Sequence, residues 1–369
     1  MAARPATRVV RERPAETAQL RPAVRDLSRG PASFRIDWDV RPAFDFVFSL
    51  WDDAGETDDL PAADRAWLAE NKGAMPAEVA TKFKRLFESG ICMHVAVIAV
   101  DKPEIRTASD LVSAVEATSY KDVLRGTFEG HHDEAGLDAL VERALDGDDA
   151  ALPAIAELID DYHREARLDV LREPERATSD LIDVLHYWSG VFTPIETRVG
   201  EIIERDYELR SADRETLAPV DLIERTTGGI RWLPESGVRR VILAPSYFSR
   251  PYNFLMNAAD WRLFGYPVSD DALEANDPLA APQSVVRLHR ALGDETRLRI
   301  LKLLAGRDLY LTEIAQQLDL SKPTIKHHLA LLRSAGLVTI TESGTVIYYS
   351  LRRNRLDDAS ADIKRFLIG

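Results

Sequence analysis

The feature that most constrains this chain is a series of short amphipathic segments close to its C-terminal end. Residues 284–292 and 295–304 each carry apolar side chains at helical spacing, and Gly293 with Asp294 separates the two segments. The pattern predicts two helices, the second of which ends before Gly306. The buried stripe of this second helix is expected to consist of Leu298, Ile300, Leu301 and Leu304.

Two further helices are predicted from their capping residues. The Thr312 hydroxyl can accept an amide hydrogen bond, so we expect it to cap a helix over residues 313–318. Ser321 is expected to cap the next helix in the same way. Pro323 suits the first turn of that helix, where a missing N–H costs nothing.

A β-hairpin is predicted after Gly336, which ends the last of these helices. Residues 337–341 and 345–351 are rich in β-prone side chains, and Ser343 with Gly344 supplies the turn between them. Helices followed by such a hairpin form a winged helix-turn-helix, in which the hairpin is the wing.

The helix that begins after Ser321 has two different faces. At about 100° per residue, Ile325, Leu329 and Leu332 lie within roughly 60° of one another and should face the core. His327 points the opposite way, toward the face that enters a DNA major groove in helix-turn-helix docking. We expect the DNA contacts of this helix to come from Ser321, Lys322, Thr324, Lys326, His327 and His328. His328 lies at the edge of the buried stripe, so a structural role is an equal alternative for it.

Four motifs occur in order at matching spacing. They are Ala-Leu-Gly-Asp-Glu-Thr-Arg-Leu-Arg-Ile-Leu from Ala291, Leu-Thr-Glu-Ile-Ala from Leu311, Ser-Lys-Pro-Thr-Ile-Lys-His-His-Leu from Ser321, and Ala-Gly-Leu-Val from Ala335. With these motifs, residues 284–351 resemble the ArsR-type winged-helix repressors. The resemblance implies a symmetric homodimer that presents two recognition helices to double-stranded DNA with a pseudo-palindromic operator.

Two departures from the family pattern change what we expect. Many family members sense metals through a Cys-x-Cys cluster on the first helix of the motif, whereas residues 308–314 contain no cysteine. Thiolate sensing of arsenic, cadmium or lead is therefore not expected. Family wings often carry arginine at the tip, but residues 342–345 are weakly acidic, so Arg352, Arg353 and Arg355 are predicted to contact DNA instead.

Charge is divided unevenly along the sequence. The whole chain has a formal net charge of −14, which by itself argues against a general nucleic-acid binder. Residues 283–369 carry 14 Lys and Arg against 9 Asp and Glu, whereas the rest carries 33 against 52. The C-terminal part is therefore net +5 and the remainder net −19. Only the C-terminal part has the local positive charge that phosphate binding needs.

The sequence as a whole predicts a fold that is mainly α with minor β. An α-rich N-terminal domain is followed by the C-terminal winged helix-turn-helix. A strand around residues 33–40, then a short helix or second strand, precedes mostly helical segments from 109 to 211, and residues 238–244 form another strand. The apolar run 91–100 is compatible with a strand or a buried helix. The predicted domains are a disordered basic leader at 1–30, a sensor or interaction domain at 31–270, a linker at 271–282 and the DNA-binding domain at 283–369.

Aromatic residues concentrate just before the predicted linker. Residues 247–266 contain 7 of the 28 aromatic side chains, and Trp232 lies nearby. Such residues favour pocket walls and interfaces, although ordinary core packing explains them equally well. The candidates for a pocket or interface are Trp232, Tyr247, Phe248, Tyr252, Phe254 and Trp261.

Signatures of other functions are absent or weak in the sequence. No phosphate-binding loop, dinucleotide fingerprint or nucleophile elbow occurs, so no enzyme activity and no cofactor are expected. Residues of the types that bind metal ions occur together in three places: His131 to Glu134, Cys92 with His94, and Asp160, Asp161 and His163. None of the three has a spacing typical of a metal site, so no metal site is predicted. No apolar run approaches the roughly 18 residues of a membrane span, and one cysteine suits a reducing cytoplasm.

The sequence therefore predicts a cytoplasmic, dimeric transcriptional repressor in which a small-molecule effector of the N-terminal domain controls DNA affinity. Two alternatives remain open at this stage. The N-terminal domain could bind a protein partner that the winged helix tethers to DNA. The chain could also be a metal-responsive regulator that uses carboxylate and histidine ligands.

Overall fold

The computed structural model describes residues 34–51, 54–55, 59–125, 128, 136–159, 164–273, 281–343 and 346–368. The predicted leader at 1–30 lies outside these residues, as does most of the predicted linker. The four residues from His131 to Glu134 and the group Asp160, Asp161 and His163 also lie outside them. In the described part, no helix combines the length and the apolar character that crossing a membrane requires.

Most of the N-terminal part is helical, as predicted. Its first strand, β1, spans Arg35–Trp38 and leads directly into helix α1 at Pro42–Ser49. The helices that follow are α2 (Ala62–Gly73), α3 (Ala77–Ser89), α4 (Ile91–His94), α5 (Ala108–Ala117), α6 (Tyr120–Arg125), α7 (Leu137–Leu145), α8 (Leu152–Leu158), α9 (Arg164–Arg172), α10 (Pro174–Leu209), α11 (Ser211–Thr216) and α12 (Pro219–Thr226). The undecided apolar run becomes α4 and a 3₁₀ helix at Val95–Ala99.

Helix α10 is the scaffold of this part. Its 36 residues span about 54 Å at 1.5 Å per residue, and α1, α3, α5, α6 and α9 all pack against it. Pro174 suits its first turn. Its buried stripe includes Leu181, Val184, Leu185 and Trp188, all with no exposed surface. The large core of the N-terminal part is thus built along one side of a single long helix.

A four-stranded sheet covers one end of the helical core. Its strands are ordered β1, β3 (Arg240–Ser246), β5 (Trp261–Pro267) and β4 (Phe254–Asn257); β4 runs antiparallel and the others run parallel. Central strand β3 is buried on both faces, because Ile242 and Ala244 join the helical core while Val241 and Leu243 join a smaller cluster opposite. The predicted strand at 238–244 is this one, and the aromatic stretch after it forms β4 and β5.

The C-terminal part has the helices and the hairpin of a winged helix. Its elements are α13 (Gln283–Leu292), α14 (Glu295–Leu304), β6 (Leu309–Tyr310), α15 (Leu311–Leu318), α16 (Lys322–Ser334), β7 (Val338–Ser343), β8 (Val346–Leu351) and α17 (Arg353–Ile368). The hairpin strands pair antiparallel from Val338 opposite Leu351 to Ser343 opposite Val346. Their turn at Gly344 and Thr345 lies outside the described residues.

The wing sheet also contains a strand that we did not predict. Strand β2, Ile230–Arg231, comes from the N-terminal part and pairs parallel with β7. Ile230 lies opposite Ile340, and the Ile340 N–H donates to the Gly229 carbonyl at 3.3 Å. The sheet order is β2-β7-β8-β6, so the two parts of the chain share one sheet. A two-residue strand after Gly228 and Gly229 is too short to give a periodic signal.

A buried carboxylate holds the end of β3. Asp45 on α1 has no exposed surface. It accepts hydrogen bonds from the Ser246 hydroxyl at 2.6 Å, the Tyr247 N–H at 2.8 Å and the Phe248 N–H at 2.9 Å. Burial raises its pKa to about 6, while these three hydrogen bonds act to lower it. Asp45 thus ties the first helix to the chain where it leaves the central strand.

We expect Asp45→Ala to lower the free energy of unfolding by roughly 3 kcal/mol, since three donors would lose their acceptor inside the core. Asp37→Ala is the matched control, because Asp37 is partly exposed and pairs with Arg35 at 3.2 Å, which predicts a loss below about 1 kcal/mol. Urea denaturation of both variants measures the difference. Equal losses would show that the Asp45 hydrogen bonds contribute no special stability.

Candidate nucleic-acid interface

The Asp-Glu-Thr-Arg motif joins the first two helices of the winged helix. Asp294 caps α14: its carboxylate accepts a hydrogen bond of 2.9 Å from the backbone N–H of Arg297. The Arg297 side chain turns back and donates to the carbonyls of Ala291 at 2.8 Å and Arg290 at 2.7 Å, at the end of α13. The motif therefore satisfies backbone groups at two adjoining helix ends and fixes their relative placement.

The prediction that Leu298 is buried was wrong. Leu298 is 48% exposed, whereas Ile300, Leu301 and Leu304 are buried as expected. At 100° per residue, Leu298 lies about 110° from the centre of the stripe that these three residues form. Its spacing to Leu301 alone suggested a common face, but Ile300 moves the centre of the stripe away from it.

The predicted cap of α15 was also wrong. Thr312 lies inside the helix, which begins at Leu311, two residues before the predicted start at residue 313, with Tyr310 in the capping position. Glu313 explains the earlier start, because its carboxylate accepts from the Tyr310 N–H at 3.2 Å. The same carboxylate accepts a hydrogen bond of 2.9 Å from the Arg307 guanidinium. Glu313 thus joins the start of the helix to the preceding turn.

Helix α16 begins as predicted. The Ser321 hydroxyl accepts from the Thr324 N–H at 3.2 Å and lies 2.7 Å from the Thr324 hydroxyl. Pro323 occupies the first turn. Ile325, Leu329 and Leu332 are buried at 1% exposure or less, which packs one face of the helix firmly into the core. The opposite face exposes Lys322, Thr324, Lys326 and His327.

His328 occupies a different environment from His327. It is only partly exposed, and its Nδ1 lies 3.9 Å from a carboxylate oxygen of Asp294. Burial lowers the pKa of His328 and the positive charge of Arg297 acts in the same direction, although Asp294 opposes them. A largely buried ring against the α14 cap fits the structural alternative, and a DNA contact by His328 stays a prediction.

The arginines after the wing have partners within the protein. Arg352 donates to the Gly228 carbonyl at 2.8 Å, and Arg353 donates to the Ala305 carbonyl at 2.8 Å. Arg355 pairs with Asp362 at 2.5 Å. The bond from Arg352 lies at the junction with the N-terminal part, next to β2. DNA contacts by Arg352 and Arg353 stay predictions.

The geometry is that of a DNA-reading module: a capped helix after a tight turn, buried on one face and basic on the other, beside an antiparallel hairpin. The family model described as "Bacterial regulatory protein, arsR family" matches residues 294–339. The transcriptional repressor SdpR of Bacillus subtilis (strain 168) is 41% identical over 70 residues, which cover 19% of this chain and 78% of SdpR. The chain belongs to the ArsR family.

Two other ArsR-type relatives match the same C-terminal region. The HTH-type transcriptional regulator KmtR of Mycobacterium tuberculosis (strain ATCC 25618 / H37Rv) is 39% identical over 82 residues, 22% of this chain and 63% of KmtR. The transcriptional activator HlyU of Vibrio cholerae serotype O1 (strain ATCC 39315 / El Tor Inaba N16961) is 34% identical over 89 residues, 24% of this chain and 78% of HlyU. No family model matches the N-terminal part. The family places this chain among DNA-binding transcriptional regulators.

The six aromatic candidates have mostly structural surroundings. Trp232, Tyr247, Phe248 and Trp261 are 7% exposed or less, and Phe254 stacks on Phe48 with ring centroids 4.1 Å apart. Tyr252 lines a cavity at the junction with the winged helix. The concentration of aromatic residues therefore reflects the packing around β4 and β5, while Tyr252 keeps the prediction of a ligand site open.

Among the residues that the structure describes, no group of three or more His, Cys, Asp or Glu side chains is placed to hold a metal ion. Cys92 is fully buried, and burial raises the pKa of its thiol to about 12. The His94 Nδ1 lies 2.9 Å from the Gly90 carbonyl. Cys92 and His94 thus have structural surroundings.

We expect Ser321→Ala to lower the free energy of unfolding by about 1 kcal/mol, because the first turn of α16 would lose its side-chain acceptor. Ser321→Asp keeps an acceptor at the same position and adds a charge that the helix dipole favours, so its stability should stay near the wild-type value. Chemical denaturation of the three proteins measures the effect. Equal destabilisation by both substitutions would show that the hydroxyl does not act as a cap.

Proposed function

We propose that this chain is a dimeric transcriptional repressor that reads a pseudo-palindromic operator through α16 and is controlled by a ligand of its N-terminal part. The single observation that carries the DNA-reading role is the division of α16 into two faces. Ile325, Leu329 and Leu332 anchor the helix in the core, so Lys326 and His327 project from a rigid support.

Each residue on the exposed face has its own expected role. Lys322 and Lys326 carry point charges suited to phosphate oxygens, which position the protein without reading sequence. His327 and Thr324 present hydrogen-bonding groups of the kind that read base edges. Ser321 lies at the helix start, where backbone N–H groups also attract phosphate.

The acidic N-terminal part adds a second argument for specificity. With a net charge of −19, it repels the phosphate backbone, whereas the C-terminal part is net +5. Long DNA can therefore approach the chain favourably only along the winged helix. Non-specific binding should be weak and strongly dependent on salt.

Dimerisation is proposed through α17. This helix packs on α13 and exposes three large apolar side chains, Leu356 at 40%, Leu367 at 68% and Ile368 at 81%. Apolar surface of this kind is favourable to bury against a second copy. A two-fold dimer would present two α16 helices to half-sites about 10 base pairs apart.

We expect Lys326→Ala to weaken binding to all DNA sequences about equally and to reduce the slope of log affinity against log salt by about two, because the proposed dimer loses one phosphate contact in each subunit. His327→Ala should instead reduce discrimination at one base pair of each half-site by about 1–3 kcal/mol, while leaving the salt slope unchanged. Fluorescence anisotropy with a selected operator and a scrambled duplex, at several salt concentrations, separates the two effects.

Lys302→Ala is the matched control, because Lys302 is exposed on α14 outside the proposed interface. It should bind the operator within about twofold of wild type, since a distant surface charge is screened. Identical behaviour of the three variants would contradict the assignment of α16 as the recognition helix. Failure of the full chain to prefer any genomic fragment over random DNA would contradict the proposed function itself.

We expect Leu356→Glu combined with Leu367→Glu to convert the dimer to a monomer, because two charges would be buried in the proposed interface. Leu209→Glu is the control, since Leu209 is 53% exposed at the end of α10. Light scattering coupled to size exclusion measures the mass of each variant. A wild-type monomer, or a double variant that stays dimeric, would refute the interface.

A further inference from the structure

A cavity of about 530 Å³ lies between the N-terminal part and the winged helix. One wall comes from the end of α12, from β2 and from residues 250–253 and 267–271. The other comes from α13, the last turn of α16, β7 and α17. The volume is in the range of sites that enclose a small organic molecule.

Arginine dominates the lining of this cavity. The N-terminal wall contributes Arg210, Arg225 and Arg250. The winged helix contributes Arg287, Arg333, Arg352, Arg355 and Arg365. Three aspartates, Asp270, Asp271 and Asp362, are the acidic residues of the lining. The lining thus holds eight guanidinium groups and three carboxylates, although the chain as a whole is acidic.

Some of this charge is balanced by carboxylates outside the lining. Asp206 pairs with Arg210 at 2.7 Å, Asp213 lies 3.7 Å from Arg225, and Asp59 pairs with Arg287. With these three carboxylates included, eight guanidinium groups face six carboxylates, so arginine still outnumbers aspartate among these groups.

Arg287 shows how crowded the positive charge is. Burial lowers its pKa to about 10, and the neighbouring Arg355 acts in the same direction. Its Nε is buried without a hydrogen-bond partner among the described residues. Buried donors of this kind favour an acceptor that enters the cavity.

We propose that this cavity binds a small molecule that carries a phosphate monoester. A phosphate monoester has a charge of about −1.5 to −2 at pH 7 and offers three acceptor oxygens. Guanidinium groups match its geometry with paired N–H donors. Phosphate alone fills only part of the cavity, so the remaining space takes the organic group, beside the rings of Tyr252 and Phe366.

The position of the cavity gives the ligand a route to the DNA-reading helix. Arg333 to Gly336 at the end of α16 line it, together with Val338 and Ile340 of β7. Ile340 is the residue that pairs with β2. A phosphate held by arginines from both walls would change the free energy of the junction between the two parts. This regulatory consequence rests on the proposed function, whereas binding of the ligand does not.

Inorganic phosphate is the probe for the site. It is added to the full chain, and chloride at the same ionic strength is the reference. We expect the melting temperature to rise with phosphate concentration and to reach a plateau, with half of the rise at or below about 10 mM phosphate. A ligand that binds only the native state stabilises that state. Arg225→Gln combined with Arg365→Gln removes one charge from each wall. Both side chains are well exposed, at 59% and 76%, so the fold should tolerate the change.

The double variant should raise the half-effect concentration at least about tenfold, because charge-assisted contacts dominate such a site. Arg143→Gln combined with Arg176→Gln is the matched control, since these two arginines are also well exposed, at 55% and 64%, and lie outside the cavity lining. It should respond to phosphate as wild type does. If phosphate raised the melting temperature no more than chloride does, or raised it equally in the double variant, the proposal would be overturned. An equal response to succinate would overturn the assignment to phosphate.

The regulatory arm is measured separately, as operator affinity with and without phosphate at constant ionic strength. Wild type should change its affinity at least about fivefold, and the Arg225→Gln and Arg365→Gln variant should not. Phosphate binding without any change in operator affinity would refute regulation and leave the site intact. Loss of operator recognition with phosphate binding preserved would refute the proposed function alone.

Discussion

The wing sheet of this protein includes a strand from the N-terminal part of the chain. Strand β2 pairs in parallel with β7 and completes the wing sheet on the side away from β8. Backbone hydrogen bonds have strict geometry, so this pairing sets the distance and the orientation between the two parts of the chain. The cavity lies at this junction, with Ile230 of β2 in one wall and the end of α16 in the other.

Charged groups reinforce the same junction. Asp270 accepts from the Ser284 N–H at 2.6 Å and pairs with the buried guanidinium of Arg250, so one carboxylate joins the start of α13 to the N-terminal part. Burial acts to raise the pKa of Asp270, but the charge of Arg250 and the bond from Ser284 outweigh it, and the pKa is lowered. Arg287 reaches from α13 to Asp59. Specific ion pairs and hydrogen bonds thus connect the acidic part of the chain to the basic part.

Local sequence patterns predicted the winged helix well because its determinants are local. Ser321, Ile325 and Leu332 act through caps and helical spacing, which depend on neighbours a few residues away. The two errors have the same origin. Leu298 and Thr312 satisfied a simple spacing or capping rule, but Ile300 and Glu313, one or two residues away, changed which side chain was buried and where the helix began. The aromatic stretch left two interpretations open, because packing around β4 and β5 and a pocket wall require the same residue types.

The sequence by itself determined the family, the start and the buried face of α16 and the division of charge, since motifs, capping residues and composition do not depend on distant contacts. Only the tertiary structure decided that β2 joins the wing and that arginines far apart in the chain, such as Arg210 and Arg365, line one cavity. These features arise from contacts across more than 100 residues. No periodicity within a segment encodes such contacts, because they form only when the sheet and the helices have packed together.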